Sequence, residues 1–280
     1  MKQETLSKVE TRDDVAIHVR SYDSQERDAS VPVRDILLLH GWPNNGGVWR
    51  PLVDALLLGD PSVRLHAPDL RGYGDSDKPE TGYTCETFAD DVEDVIAGLR
   101  LQNFVLVGHS MSGKIAQLVA SRQPAGLAAL VLVTPGLLAA SPPVDVFKRK
   151  AMFGDARLIR DMIASWAGHP LPGTEIEALT EASLTVGRDA WNGWLSPMRD
   201  EDFFREIGKI AVPTLVIGGG KDPQRTEEEL RRGIVTRIKD TEYVRLPNSG
   251  HLPHVEEPAA LAALLLNFLT TIPGNGKTSV

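Results

Sequence analysis

Cysteine is almost missing from this chain: Cys85 is the only one in 280 residues. A lone thiol closes no intrachain disulfide and builds no thiolate metal cluster. Long apolar runs are missing too, and no stretch approaches the roughly 20 residues that a membrane-crossing helix needs. Met1 to Thr5 are polar, without the apolar run of a signal peptide. Nor is there a basic excess, since 30 Lys and Arg stand against 38 Asp and Glu, a net charge of -8. That sign argues against nucleic acid, whose phosphates require a basic surface. The expectation is a cytoplasmic protein with neither membrane nor nucleic acid as partner, acting on a small molecule. Oligomeric state is not legible.

What is present is a regular alternation. The pattern predicts strands over 6–11 and 15–22, then a polar connection over 23–35. Ile36-Leu37-Leu38-Leu39 is an unbroken apolar run, suited to a strand buried on both faces of a sheet. Further strands are expected over 63–67, 104–107, 130–133, 214–217 and 242–246. Helices are expected over 48–58, 86–101, 112–123, 227–235 and 259–269. Strand–helix alternation implies an α/β fold: a mostly parallel sheet with helices on both faces, and antiparallel strands at one edge.

One segment breaks the rule. Residues 137–208 are helix-like and too long for a loop. They hold Phe147, Phe153, Trp166, Trp191, Trp194, Phe203 and Phe204. The reading is a helical cap (137–208) inserted into a core domain formed by 1–136 and 209–280. The cap aromatics are expected to form a small satellite core. A Gly-rich polar tail, 273–280, is expected to fray.

The densest chemical signal is Phe104-Val105-Leu106-Val107-Gly108-His109-Ser110-Met111-Ser112-Gly113. A strand runs straight into a helix with a serine on the corner. Such a turn strains the serine backbone and demands small residues two before and two after it, a demand that Gly108 and Ser112 meet. A serine needs a base to take its proton, and the base needs an acid to hold its tautomer. His251, in Asn248-Ser249-Gly250-His251, follows a predicted strand and precedes a helix. Asp222 follows strand 214–217 through Gly218-Gly219-Gly220-Lys221 and is the only carboxylate at a carboxyl-edge strand end between the serine and that histidine. His254 is an internal rival to His251 but lacks a preceding glycine. His169, beside Pro170, is assigned no role. The three glycines are not a phosphate loop, because Asp222 stands where Ser or Thr would bind magnesium.

On these residues the chain resembles the α/β-hydrolase superfamily over nearly its whole length, in the branch of small bacterial esterases and cofactor-free haloperoxidase-perhydrolase relatives. The usual elbow is Gly-x-Ser-x-Gly; here Ser112 occupies the second glycine position and Gly113 comes next. The resemblance implies Ser110 as nucleophile, His251 as base and Asp222 as the orienting acid, with neither cofactor nor metal. It implies an oxyanion hole made by the backbone N–H groups of Trp42, in His40-Gly41-Trp42-Pro43, and of Met111. Trp42, Trp166, Trp191 and Trp194 are candidates for the substrate pocket. His40 is expected to anchor its loop, and Asp69 and Arg71, in Ala67–Pro79, to form loop-stabilising pairs. His109 is expected to point away from the nucleophile.

Haloalkane dehalogenases and epoxide hydrolases share the loop motifs at His40 and Arg71, yet both attack with Asp. Epoxide hydrolases also use cap tyrosines, whereas Tyr22, Tyr73, Tyr83 and Tyr243 all lie outside 137–208. The expected reaction is therefore hydrolysis of a small ester, lactone or thioester through an acyl-enzyme. Perhydrolysis and carbon–carbon bond hydrolysis with the same triad are alternatives, cofactor-free dioxygenase chemistry a more distant one. A small-molecule receptor on the same fold is the alternative of another class.

Overall fold

A computed structural model describes residues 2–26, 33–141 and 144–272. The expected tail at 273–280 and part of the 23–35 connection lie outside the described residues. Eight strands form one sheet: β1 (Lys2–Glu10), β2 (Ala16–Ser24), β3 (Arg34–Leu39), β4 (Val63–Pro68), β5 (Phe104–His109), β6 (Leu127–Val133), β7 (Thr214–Gly219) and β8 (Thr241–Leu246). Their order is β1-β2-β4-β3-β5-β6-β7-β8. The β1–β2 and β2–β4 pairs are antiparallel, and every later pair is parallel. Every residue of β3 and of β5 is buried, as strands covered on both faces must be.

Helices cover the faces: α1 (Arg50–Gly59), α2 (Cys85–Gly98), α3 (Met111–Ser121) and, near the end, α10 (Pro258–Thr271). Local chemistry sets their starts. Thr84 caps α2 by accepting from the Thr87 N–H, and prolines occupy the first turns of α1 and α10. α2 ends at Gly98, three residues before the expected boundary, and Arg100 and Asn103 then adopt positive φ. The chain there turns back into β5, and the apolar Leu101 that suggested a longer helix is buried as part of the turn.

Between β6 and β7 lie α4 (Val146–Ala151), α5 (Ala156–Ala164), α6 (Gly173–Leu184) and α7 (Arg188–Gly193), followed by a wide turn over Trp194–Met198 and a 3₁₀ turn over Phe204–Lys209. α5 buries Ile159, Met162 and Ile163, one apolar stripe on an otherwise polar helix. Trp166, Trp191 and Trp194 are buried, but Phe147 is 89% exposed. It therefore stands outside the satellite core expected of the aromatics here, because α4 buries none of its residues. Hydrogen bonds stitch this helical segment to the sheet domain. The buried Lys114 ammonium on α3 donates to the carbonyls of Met198 (3.0 Å) and Glu201 (2.5 Å). Gly187 N–H donates to Gly72 O at 2.7 Å.

The last helical turns, α8 (Glu227–Leu230) and α9 (Pro253–Glu256), sit beyond the carboxyl ends of β7 and β8. Thr226 and Glu229 cap α8 reciprocally.

Candidate active site

Ser110 sits between the end of β5 and the start of α3, with φ 51° and ψ -117°. That left-handed conformation is costly for a residue with a side chain and persists only where the surroundings enforce it. Two glycines let the turn close. A Cβ on Gly108 would strike the Ser112 carbonyl, and one on Gly113 would strike Pro135. The close approach to the neighbouring strand end thus falls on position 113, which explains why Ser112 is tolerated in the usual glycine place. Ser112 is fully buried, and its hydroxyl donates to the carbonyl of His40, tying the elbow to the loop after β3.

Three side chains from distant parts of the chain meet here. Ser110 Oγ lies 2.8 Å from His251 Nε2, and His251 Nδ1 lies 2.9 Å from Asp222 Oδ2. The consistent proton assignment has Nδ1–H donating to the carboxylate and Nε2 accepting from the serine hydroxyl. Asp222 is held in turn, its Oδ1 accepting from the Gln224 N–H at 2.7 Å. Its side chain is fully buried and that of His251 almost so. All of this lies at the carboxyl edge of the parallel strands, where open α/β sheets place their ligands.

A second layer fixes His251, and most of it is invisible in the sequence. His109 does not line the cavity with Ser110 but reaches the backbone of His251. Its Nε2 donates to the His251 carbonyl at 2.8 Å, and Thr134 Oγ1 donates to the same oxygen at 3.0 Å. Burial, then the neighbouring His254 and His251, push the His109 imidazole well below its ordinary pKa, so it remains a neutral donor. His254 does not reach Ser110. It stacks between His109 and Trp49, ring centroids 4.5 and 4.7 Å apart, with its pKa pushed down to about 3 by burial and then by His251. Glu256, whose side chain is fully buried, accepts from the N–H groups of Gly250, Leu252 and Gly168 at 2.7–3.0 Å. One carboxylate thereby clamps the histidine loop against the helical segment. The only sequence hint was an acid five residues beyond the histidine. His169, 39% exposed on its side chain, stands 4.0 Å from that carboxylate.

Trp42 lines the cavity with Ser110, and Met111 follows Ser110 as the first residue of α3. No acceptor among the described residues takes the backbone N–H of either. For Met111 this is the usual state of a first helical residue, and it leaves a donor free at the positive end of α3. His40 is fully buried and anchors its loop: Nε2 accepts from the Leu70 N–H at 3.1 Å, while Nδ1 faces the Gly41 carbonyl. Burial pushes its pKa down to about 4. Asp69 accepts from the Gly46 and Asp75 N–H groups, both at 2.8 Å, and Arg71 pairs with Asp91 of α2 and with Asp13. These are loop braces.

The cavity over Ser110 is small, ≈ 20 Å³, about the space of a single water. Trp42, Trp166 and Trp194 line it, while Trp191 does not. Trp191 is fully buried behind Trp42, rings 4.6 Å apart, and its carbonyl accepts from Trp42 Nε1 at 3.2 Å. Tryptophans are not the whole of the wall. Arg149, Arg199, Gln224 and Arg225 share it. A larger groove, ≈ 480 Å³, runs between α6 and residues 45–51 without including Ser110.

With fold and geometry in place, likeness to known proteins can be weighed. The model of the Alpha/beta hydrolase family matches residues 36–264. An AB hydrolase superfamily protein of Bacillus subtilis, YisY, is 34% identical over 255 residues, covering 84% of this chain and 91% of that protein. A putative non-heme chloroperoxidase of Synechocystis is 28% identical, covering 88% and 97%. Among solved structures, an esterase from Exiguobacterium antarcticum superposes with a TM-score of 0.81 at 23% identity, covering 95% of this chain and all of that one. The chain belongs to the alpha/beta hydrolase family.

Proposed function

We propose that this protein is a serine hydrolase that cleaves a small carboxylic ester or lactone through an acyl-enzyme. The observation that carries the reading is the continuous hydrogen-bonded line from Ser110 Oγ through His251 to Asp222, with the serine held at positive φ on a strand–helix corner. Ser110 Oγ attacks the carbonyl carbon while His251 Nε2 takes its proton. Asp222 stabilises the imidazolium, and the N–H groups of Trp42 and Met111 receive the charge on the former carbonyl oxygen. The imidazolium then protonates the leaving alkoxide, the C–O bond breaks, and an ester to Ser110 remains. A water, deprotonated by His251, releases the acid and restores the serine. The helical segment over the site acts as a cap in this scheme. A cavity of ≈ 20 Å³ supports a small substrate and requires the cap to yield as substrate enters.

The test is direct. A fluorophosphonate should label Ser110 alone, and Ser110→Ala should abolish labelling and p-nitrophenyl acetate hydrolysis together. A wild-type protein that neither labels nor cleaves any short ester would overturn the reading in favour of a small-molecule receptor. A second reading, perhydrolysis, is favoured by the likeness to the putative non-heme chloroperoxidase. In it hydrogen peroxide replaces water at the acyl-enzyme and the product is a peracid. Adding peroxide, acetate and bromide and following monochlorodimedone bromination, in which the peracid oxidises bromide to hypobromite and returns acetate, separates the two.

A further inference from the structure

Three arginines line the same cavity as Ser110. Arg149 comes from α4, Arg199 from the turn after Trp194–Met198, and Arg225 from the loop that carries Asp222. Elsewhere, the buried Arg71 is matched with Asp91 by two hydrogen bonds, and the half-buried Arg64 with Asp35 likewise. Around the cavity the pattern changes. Among the described residues no carboxylate forms an ion pair with Arg149 or Arg225. Arg149 lies 5.7 Å from the Trp42 ring centroid. Arg225 donates only to neutral oxygens, Gln224 O at 3.1 Å and Ser141 Oγ at 3.4 Å. The nearby acids are committed, Asp222 to His251 and Gln224, and Glu229 to the α8 cap.

Burial lowers the pKa of Arg149 and of Arg225, and it pushes Arg199 down to about 10 with help from the Arg149 and Arg225 charges. Like charges gathered out of water oppose folding, so a merely structural role would have paired Arg149 and Arg225 with carboxylates. A guanidinium fork matches a carboxylate in shape and charge, and such bonds are among the strongest a small ligand can gain.

We infer that the substrate carries a carboxylate besides its scissile ester or lactone, and that Arg149, Arg199 and Arg225 hold this second group while Ser110 attacks. This rests on the serine-hydrolase reading for the reaction, but the anion site itself can be tested without turnover. Two chromogenic esters of equal length serve as probes: mono-p-nitrophenyl glutarate and its neutral ω-amide. Wild-type kcat/KM should favour the carboxylate at least ~10-fold, as a charge-assisted pair implies. The preference should shrink toward unity in the Arg149→Gln/Arg225→Gln double variant. Independently, calorimetry on Ser110→Ala should show glutarate binding and at least ~10-fold weaker binding of glutaramide.

A wild type that labels with fluorophosphonate and cleaves both esters equally would overturn the inference and leave the hydrolase reading standing. A wild type that does neither, while Ser110→Ala still binds glutarate over glutaramide, would overturn the hydrolase reading and keep the anion site. Absence of glutarate binding, or binding of inorganic phosphate in its place, would overturn the carboxylate assignment.

Discussion

The two walls of the cavity over Ser110 are built on opposite principles. On one side Ser110, His251 and Asp222 are joined by hydrogen bonds. His251 is held by Ser110 and Asp222 at its ring and by His109, Thr134 and Trp166 at its backbone, and Glu256 closes the loop around it. Across the cavity, Arg149 of α4 and Arg225 of the Asp222 loop, which form no ion pair with a carboxylate among the described residues, gather among tryptophans. The first wall fixes geometry before any substrate arrives, as electrostatic preorganisation requires. The second stores unmet charge, a feature that makes sense when something else completes it.

The largest effect should come from breaking the matched wall at its centre. Ser110→Ala is expected to lower kcat for p-nitrophenyl acetate by on the order of 10⁶, with far-UV circular dichroism unchanged. Next comes Asp222→Asn, which lets the imidazole adopt the wrong tautomer and should reduce kcat by about 10⁴. Near-normal turnover in that variant would point to another acid.

Acid should then separate the walls thermodynamically. His40 and His254, with pKa values pushed down to about 4 and about 3, are neutral in the folded protein. Their stabilising contribution is present above the unfolded-state pKa near 6.5 and is lost as pH falls toward those lowered values, because only the unfolded chain takes up the protons. Each should contribute up to about 1.4 kcal/mol per pH unit across that window. Urea unfolding at pH 7.5 and pH 5.5 reads the slope, and a His254→Phe variant should flatten it.

Smaller still is the expected consequence at Glu256. Glu256→Gln keeps the shape but weakens the carboxylate's hold on three N–H groups, and should slow fluorophosphonate labelling roughly 10- to 100-fold. If labelling is unchanged while only the unfolding midpoint falls, the clamp does not position His251. The mildest change is the most diagnostic of the contrast. Arg149→Gln relieves repulsion in the cationic wall and should leave stability unchanged or raise it by about 0.5–1 kcal/mol. Destabilisation by more than about 1 kcal/mol would mean that Arg149 is structurally paired after all.

Legibility followed the same division. Strand–helix alternation revealed the sheet because each buried strand announces itself locally, as β3 does with Ile36 to Leu39. Ser110, Asp222 and His251 were legible because each lies just past a recognisable strand. The bond from His109 to the His251 carbonyl was not legible, because His109 ends β5 and the loop that folds back over it lies 142 positions further on. Trp191 carried the same composition signal as Trp42, Trp166 and Trp194, and only packing sends it behind the pocket wall.

Sequence alone therefore determined the α/β architecture and the three groups whose chemistry depends on local turns: a strained serine, a histidine after glycine, an aspartate after a strand. Tertiary structure alone decided that Gly113 rather than residue 112 meets the close approach, that Glu256 holds the histidine loop, and that three arginines line the cavity with Ser110. The reason is physical. A turn is specified by neighbours in the chain, whereas burial, desolvation and the convergence of like charges depend on residues dozens to more than a hundred positions apart.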